Sequence, residues 1–271
     1  MSKLVGIWGK PYIDLSPFID ISSFAELDRE ITAALCRVDI SYTGGTLKWM
    51  GVVAPWVMAD GYADAMHVLE TLGPADRADF IALGDDPTLD PSESRDFGDE
   101  TDHPFNHAQM RWLSFRHGVY FPWKVCFHLL ENERWEDKHS GDGKRFVPEA
   151  AEHFPKTLRF IQGLPFREIG RVVVFGLEPN DHAPAHRDTE PGAALQVAQS
   201  ISFDPRGNKG LYLMDDAAGS KTVIDAPIYW FNDMDYHGVD PAKCFRYSIR
   251  VDGVFEPDFV KRVQAGVMRG L

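Results

Sequence analysis

His186 and Asp188 stand two residues apart in the run Pro184-Ala185-His186-Arg187-Asp188, and His237 follows further along the chain. On an extended backbone, residues at that spacing project to one side, so an imidazole nitrogen and a carboxylate oxygen can meet a single ion. His237 comes just past the strand-like run Ile228-Tyr229-Trp230-Phe231-Asn232. The interval is long enough for a chain of several strands to return beside the first pair. Two imidazoles and one carboxylate on one face of a metal leave other positions open, and that donor set suits non-haem iron(II). The short pair alone is a weak signal, because the same letters occur in ordinary surface turns. A lone histidine is more often structural than ligating.

Arg246-Tyr247-Ser248 begins nine residues after His237. On a strand, Arg246 and Ser248 share a face and offer a guanidinium and a hydroxyl to one carboxylate, a charge-assisted arrangement that arginine favours. Phe245, Tyr247, Ile249 and Val251 take the opposite face and can pack under helices. An arginine buried on a strand is costly unless paired. A bound dicarboxylate would pair it, and so would an internal aspartate. Arg250 shares the face of Arg246: it could take the same ligand carboxylate, bind a substrate carboxylate, or bridge to Asp252 or another acid.

Other candidates carry less. His182 and His186 have the spacing of a zinc-protease helix, but the text is His-Ala-Pro-Ala-His, with no glutamate and with Pro184 inside, where a helix would break. Cys36, Cys126 and Cys244 form no CxxC and are odd in number, so they read as reduced core residues. Tyr212, Tyr229 and Trp230 read as core. His103, His107, Trp123, Lys124 and Arg145 could approach a substrate, although solvated loop positions are the plainer reading.

In order and spacing, His186-x-Asp188, His237 and Arg246-x-Ser248 resemble the Fe(II)/2-oxoglutarate-dependent oxygenase superfamily over residues 166–255. The Pro-x-His-Arg-Asp context resembles most the aspartyl/asparaginyl β-hydroxylase and bacterial amino-acid hydroxylase branch. The resemblance implies a double-stranded β-helix, with Fe(2+) on His186, Asp188 and His237. It implies 2-oxoglutarate as cosubstrate, held by Arg246 and Ser248 or by Arg250, and O2 as oxidant. The activity implied is hydroxylation of an unactivated C–H bond with release of succinate and CO2. Asp188 favours hydroxylation over halogenation, which typically empties that position. The substrate would be an amino acid, a peptide or protein side chain, or a small metabolite. Two other readings stay open: a cupin-type metal enzyme that ignores oxoglutarate, and a non-catalytic jelly-roll module whose acidic surface meets a basic protein.

The elements that must position these residues form a mainly β core. Past Pro165, strand-like runs 171–177, 196–203, 210–214, 222–225, 228–232 and 245–251 are separated by Gly, Pro and Asp turns. Short strands with such punctuation predict a jelly roll or cupin-like double-stranded β-helix with helices packed outside. The first 165 residues read as a mixed α/β front: helices over 23–38, 60–72 and 147–164, an extended run over 46–57, and an acidic loop over 85–104 that could act as a lid. Ser22 or Ser23 could cap the first helix. The whole reads as one oxygenase domain, 1–271, with residues 166–256 as its catalytic core.

A net charge of −13 opposes nucleic acid and anionic lipid, so neither is expected as a partner. The basic stretch from Lys138 to Arg145 reads as a solvated loop. No long apolar run or signal peptide is visible, and a cytoplasmic location is the default expectation.

Overall fold

The computed structural model describes residues 4–38, 51–52, 69, 71–88, 106–117, 119–120, 125–132, 137–177, 179, 182–189, 192, 196–215 and 218–270. The chain separates into two compact units: Met1–Tyr42, Val125–Asn132 and Glu136–Leu271 form the larger, Thr43–Lys124 and Glu133–Trp135 the smaller.

The larger unit is built on strands β1 (Tyr12–Asp14), β4 (Val125–His128), β5 (Phe166–Leu177), β6 (Ala183–His186), β7 (Ser200–Phe203), β8 (Leu211–Met214), β9 (Lys221–Val223), β10 (Ile228–Phe231), β11 (Tyr236–Val239) and β12 (Arg246–Phe255). They make one sheet in the order β1-β10-β7-β12-β5-β4 and another in the order β6-β11-β8-β9. Along the chain, β5, β7, β10 and β12 fall in the first sheet, and β6, β8, β9 and β11 in the second. Every pairing is antiparallel. A chain that passes between two antiparallel sheets in this way winds a jelly roll, the double-stranded β-helix expected. Four of its strands, β1, β4, β6 and β11, lie outside the strand-like runs read from the sequence. β11 is four residues long and split from β10 by a turn, so it carries little periodicity of its own.

Period-two alternation along β12 divides two environments. Tyr247, Ile249, Val251 and Phe255 enter the main apolar core with Val172 and Val174 of β5, Ile201 and Phe203 of β7, and Ile228 and Trp230 of β10. Helices α1 (Phe24–Leu35), α4 (Pro148–His153), α5 (Pro155–Gln162) and α6 (Pro257–Met268) supply the other side of that core through Leu27, Ile31, Ala150, Leu158, Ile161, Phe259 and Val263. Arg246, Ser248, Arg250 and Asp252 are buried on the opposite face.

The helix expected over 147–164 is two helices. Phe154 adopts φ −121°, ψ 38° between them, because Pro155 excludes the helical conformation for the residue before it. Ser23 sits at the α1 N-cap, but neither it nor Ser22 caps with a side chain; the Ser23 carbonyl accepts the Glu26 and Leu27 N–H groups. Cys36 and Cys244 are exposed and free, not core: Cys36 falls just past the last buried residue of α1, and Cys244 on the turn before β12. The Cys126 side chain lies outside the described residues.

The smaller unit holds the pair β2 (Gly51–Val52) and β3 (Val119–Tyr120) with helices α2 (Pro74–Ala82) and α3 (His107–His117). Phe80 packs on Trp112, with ring centroids 5.8 Å apart. Arg116 pairs with Asp76 at 3.1 Å. Most of the 60–72 helix and of the 85–104 loop falls outside the described residues, as do His103, Trp123 and Lys124. No described helix is long and apolar enough to cross a membrane.

Candidate metal centre

Strands β6 and β11 pair with His186 directly opposite His237. Antiparallel pairing puts opposed side chains on the same face, and the two imidazole rings lie 4.2 Å apart between centroids. Asp188 lies just past the end of β6, held by its backbone N–H donating to the Asp233 carbonyl at 2.9 Å. Its Oδ1 is 3.9 Å from His186 Nε2 and 3.6 Å from His237 Nε2. All three donors lie within 4.8 Å of one another. First-row divalent ions sit about 2.0–2.2 Å from such atoms, so donors on one ion lie about 3–4 Å apart. His237 Nδ1 is 2.9 Å from the Asp235 carbonyl. Donation there fixes the tautomer that leaves Nε2 for a metal. The donor set therefore fits a divalent ion in chemistry and in spacing. Among the described residues this is the group of metal-ligating side chains that converges.

A buried ionic network backs the triad. Arg250 reaches Asp188 Oδ2 at 2.9 Å, Asp233 Oδ2 at 3.2 Å and Asp252 Oδ1 at 2.9 Å. Arg171 holds Asp252 Oδ2 at 2.8 Å, and both side chains are 0% exposed. Lys138 reaches Asp233 Oδ2 at 3.0 Å. Burial by itself pushes the Asp188 carboxyl up. The charges of His237, Arg250, His186 and Lys138 outweigh it and hold the group well below the usual carboxylate range. Asp188 is thus anionic at neutral pH, as a metal ligand must be. Burial likewise works against the Arg250 guanidinium, but Asp252, Asp188 and Asp233 keep it charged.

Arg246 and Ser248 share the barrel face of β12 with Arg250 and are buried. Arg246 Nη1 donates to the Asp240 carbonyl at 2.6 Å and the Lys209 carbonyl at 3.4 Å. The two arginines thus differ: Arg250 spends its donors on three carboxylates, Arg246 meets backbone oxygens at the other end of the strand. His182 is half-buried immediately before β6, an extended segment that no zinc-protease helix could occupy. Tyr212, Tyr229 and Trp230 are buried on strands.

The solvated reading of the 138–145 stretch needs correcting at Lys138 and Lys144. Lys144 donates to Asn132, Asp137 and the Gly170 carbonyl, and Lys138 joins the network. A lysine between Asp137 and His139 looks the same in sequence whether it faces water or an aspartate 95 residues away. Asp233 and Arg171 escaped notice for the same reason, whereas Asp252, the acid the sequence offers to Arg250, does pair with it at 2.9 Å.

No protein-family model matches the chain, and no curated protein does. Among solved structures it is similar to a Pseudomonas putida prolyl-4-hydroxylase, at 15% identity and TM-score 0.26 over 39% of this chain and 64% of that one. It is similar to an oxidoreductase of the 2OG-Fe(II) oxygenase family from Burkholderia pseudomallei, at 13% identity and TM-score 0.31 over 46% and 65%. A viral collagen prolyl hydroxylase from Paramecium bursaria Chlorella virus-1 overlays at 12% identity and TM-score 0.26 over 40% and 74%. The chain spans less than two thirds of the length of the first two.

Proposed function

We propose that this protein is an iron(II)- and 2-oxoglutarate-dependent dioxygenase that hydroxylates an unactivated C–H bond. The observation that carries the proposal is the convergence of His186, Asp188 and His237 where β6 meets β11 inside a jelly roll. Two imidazoles and one carboxylate on one side of an ion suit iron(II) with open positions. Bound there, iron(II) with an oxoacid and O2 supplies a C–H oxidant, with succinate and CO2 as the balance of the reaction.

Charge supports a dianionic cosubstrate. Asp188, Asp233 and Asp252 are matched by Arg171, Arg250 and Lys138 before any metal is counted. A divalent ion adds two charges to a buried site that also holds the Arg246 guanidinium, and a dicarboxylate offsets two of those three charges. Arg246 and Ser248 are our candidates for the far carboxylate, because Arg250 is engaged. The remaining residues position and exclude: Arg250 turns Asp188 Oδ2 away so that Oδ1 faces the histidines, and the Phe231 ring lies 4.9 Å from that of His237. The substrate class we propose is an amino acid, a peptide or protein side chain, or a small metabolite.

The test is succinate formation from 2-oxoglutarate with iron(II) and ascorbate, alongside calorimetric titration of oxoglutarate into metal-loaded protein. Iron-dependent turnover and binding are expected, both lost in His186→Ala and Asp188→Ala with the fold retained. Metal binding without oxoglutarate affinity would leave a metal-only cupin chemistry in its place.

A further inference from the structure

The turn that presents His237 is fastened to the first residues of the chain. His237 takes its orientation from the Asp235 carbonyl at 2.9 Å. The Asp235 side chain, 4% exposed, points the other way, accepting the Val5 N–H at 2.6 Å on Oδ1 and the Gly6 N–H at 2.7 Å on Oδ2. Asn232, fully buried, donates its side-chain amide to the Gly6 carbonyl at 3.0 Å. Its side-chain oxygen accepts the Met234 N–H at 3.1 Å, and its backbone carbonyl accepts the Asp235 N–H at 3.0 Å.

Residues 5–10 are shaped for this. Ile7 and Lys10 exchange both backbone hydrogen bonds at 2.9 Å, closing a tight turn. Gly6 has φ +62°, and a Cβ there would collide with the Lys10 carbonyl. Trp8 also lies at positive φ, 49°, and its ring meets Trp230 edge-on at 5.5 Å. The turn is thus locked within itself and onto β10, and it presents two converging N–H groups to one carboxylate, a charge-assisted pair of bonds.

We infer that this amino-terminal strap is a positioning element of the metal centre, acting through Asp235 on His237. Val5 and Gly6 hold the Asp235 side chain, the Asp235 backbone holds the imidazole, and the imidazole meets the metal. Asp235 is thereby a positioning residue, not a ligand: its carboxylate oxygens are turned to the strap. The inference rests on the metal reading of the triad. It requires reciprocity, since if the strap improves metal affinity, metal must stabilise the strap.

Cobalt(II) is the probe, because its visible bands report the ligands around it. Asp235→Ala should weaken cobalt(II) binding by about 10- to 100-fold, the usual effect of losing the support of a ligating histidine. The cobalt bands should change while the far-ultraviolet circular dichroism stays that of the wild type. Asp235→Asn, which keeps one accepting oxygen, should recover part of the affinity. In the wild type, cobalt(II) should slow amide exchange at Val5 and Gly6, a measurement that stands even if Asp235→Ala does not fold. Wild-type cobalt affinity and bands in Asp235→Ala would overturn the inference, as would exchange at Val5 and Gly6 indifferent to metal. If the wild type binds no cobalt(II), the metal reading fails first and the inference with it.

Discussion

Arg246 and Arg250 are four residues apart on one strand and are chemically identical, so what each does is set by its surroundings. Arg250 faces three carboxylates. Arg250→Leu leaves them buried without their cation, a loss of about 3–5 kcal/mol, and frees Asp188 to turn away from the histidines. Lower stability and weaker metal binding are expected together. Arg246→Leu removes no ion pair with Asp188, so metal affinity should hold. Losing one partner of a desolvated charge pair costs about 2–5 kcal/mol, so oxoglutarate affinity should fall roughly 30- to 5000-fold. Parallel metal and oxoglutarate titrations of the two variants check this. If Arg250→Leu removes oxoglutarate binding and Arg246→Leu does not, the clamp belongs to Arg250.

The strands that carry His186 and His237 tolerate little change in backbone spacing. Gly238 follows His237 on β11, and a Cβ there would lie 2.5 Å from Tyr212 Oη and 2.6 Å from the Ala183 carbonyl. The first contact could relax, but the second is backbone of β6, the strand that carries His186. Gly238→Ala should therefore cost about 1–3 kcal/mol by overpacking and should weaken metal binding by spreading β6 from β11. Gly73→Ala, where a Cβ meets nothing within 4 Å, is the control. Urea midpoints and cobalt affinities of the pair decide it, and equal behaviour would mean that β6 and β11 can separate without harm. The strand pattern after Pro165 was readable because turn residues punctuate it. β11 and the break at Pro155 were harder: one is too short for a period to show, and the other sits inside an otherwise continuous helical pattern.

At the scale of the molecule, the buried ion network ties acid stability to the barrel face that carries the candidate metal donors. Burial alone pushes the Asp252 carboxyl up, and the Arg171 and Arg250 guanidiniums outweigh it, leaving it below its ordinary value of 3.8. A carboxyl depressed by folding stabilises fully above its unfolded value and loses that contribution as pH falls through the folded one. The native protein should therefore keep this contribution down to about pH 4 and lose it below. Arg171→Met removes one of the two cations, raises the Asp252 value, and should move the acid-unfolding midpoint to higher pH. Tryptophan fluorescence followed during acid titration measures the shift, and an unmoved midpoint would show that Arg171 is dispensable to the network.

The sequence by itself determined the fold class and the candidate metal donors. Ligand identity and strand alternation are local properties, so His186, Asp188, the polar face of β12 and the jelly-roll class could be read from spacing of a few residues. Tertiary structure alone decided which distant groups meet. Register put His237 opposite His186, and barrel closure brought Lys138, Arg171, Asp233 and Asp252 around Arg250. The return of the amino terminus onto the 232–237 turn placed Val5 and Gly6 on Asp235. Those partners are up to 230 positions apart, and an ion pair or hydrogen bond at that separation leaves no periodicity in the chain, because only packing sets the distance between its members.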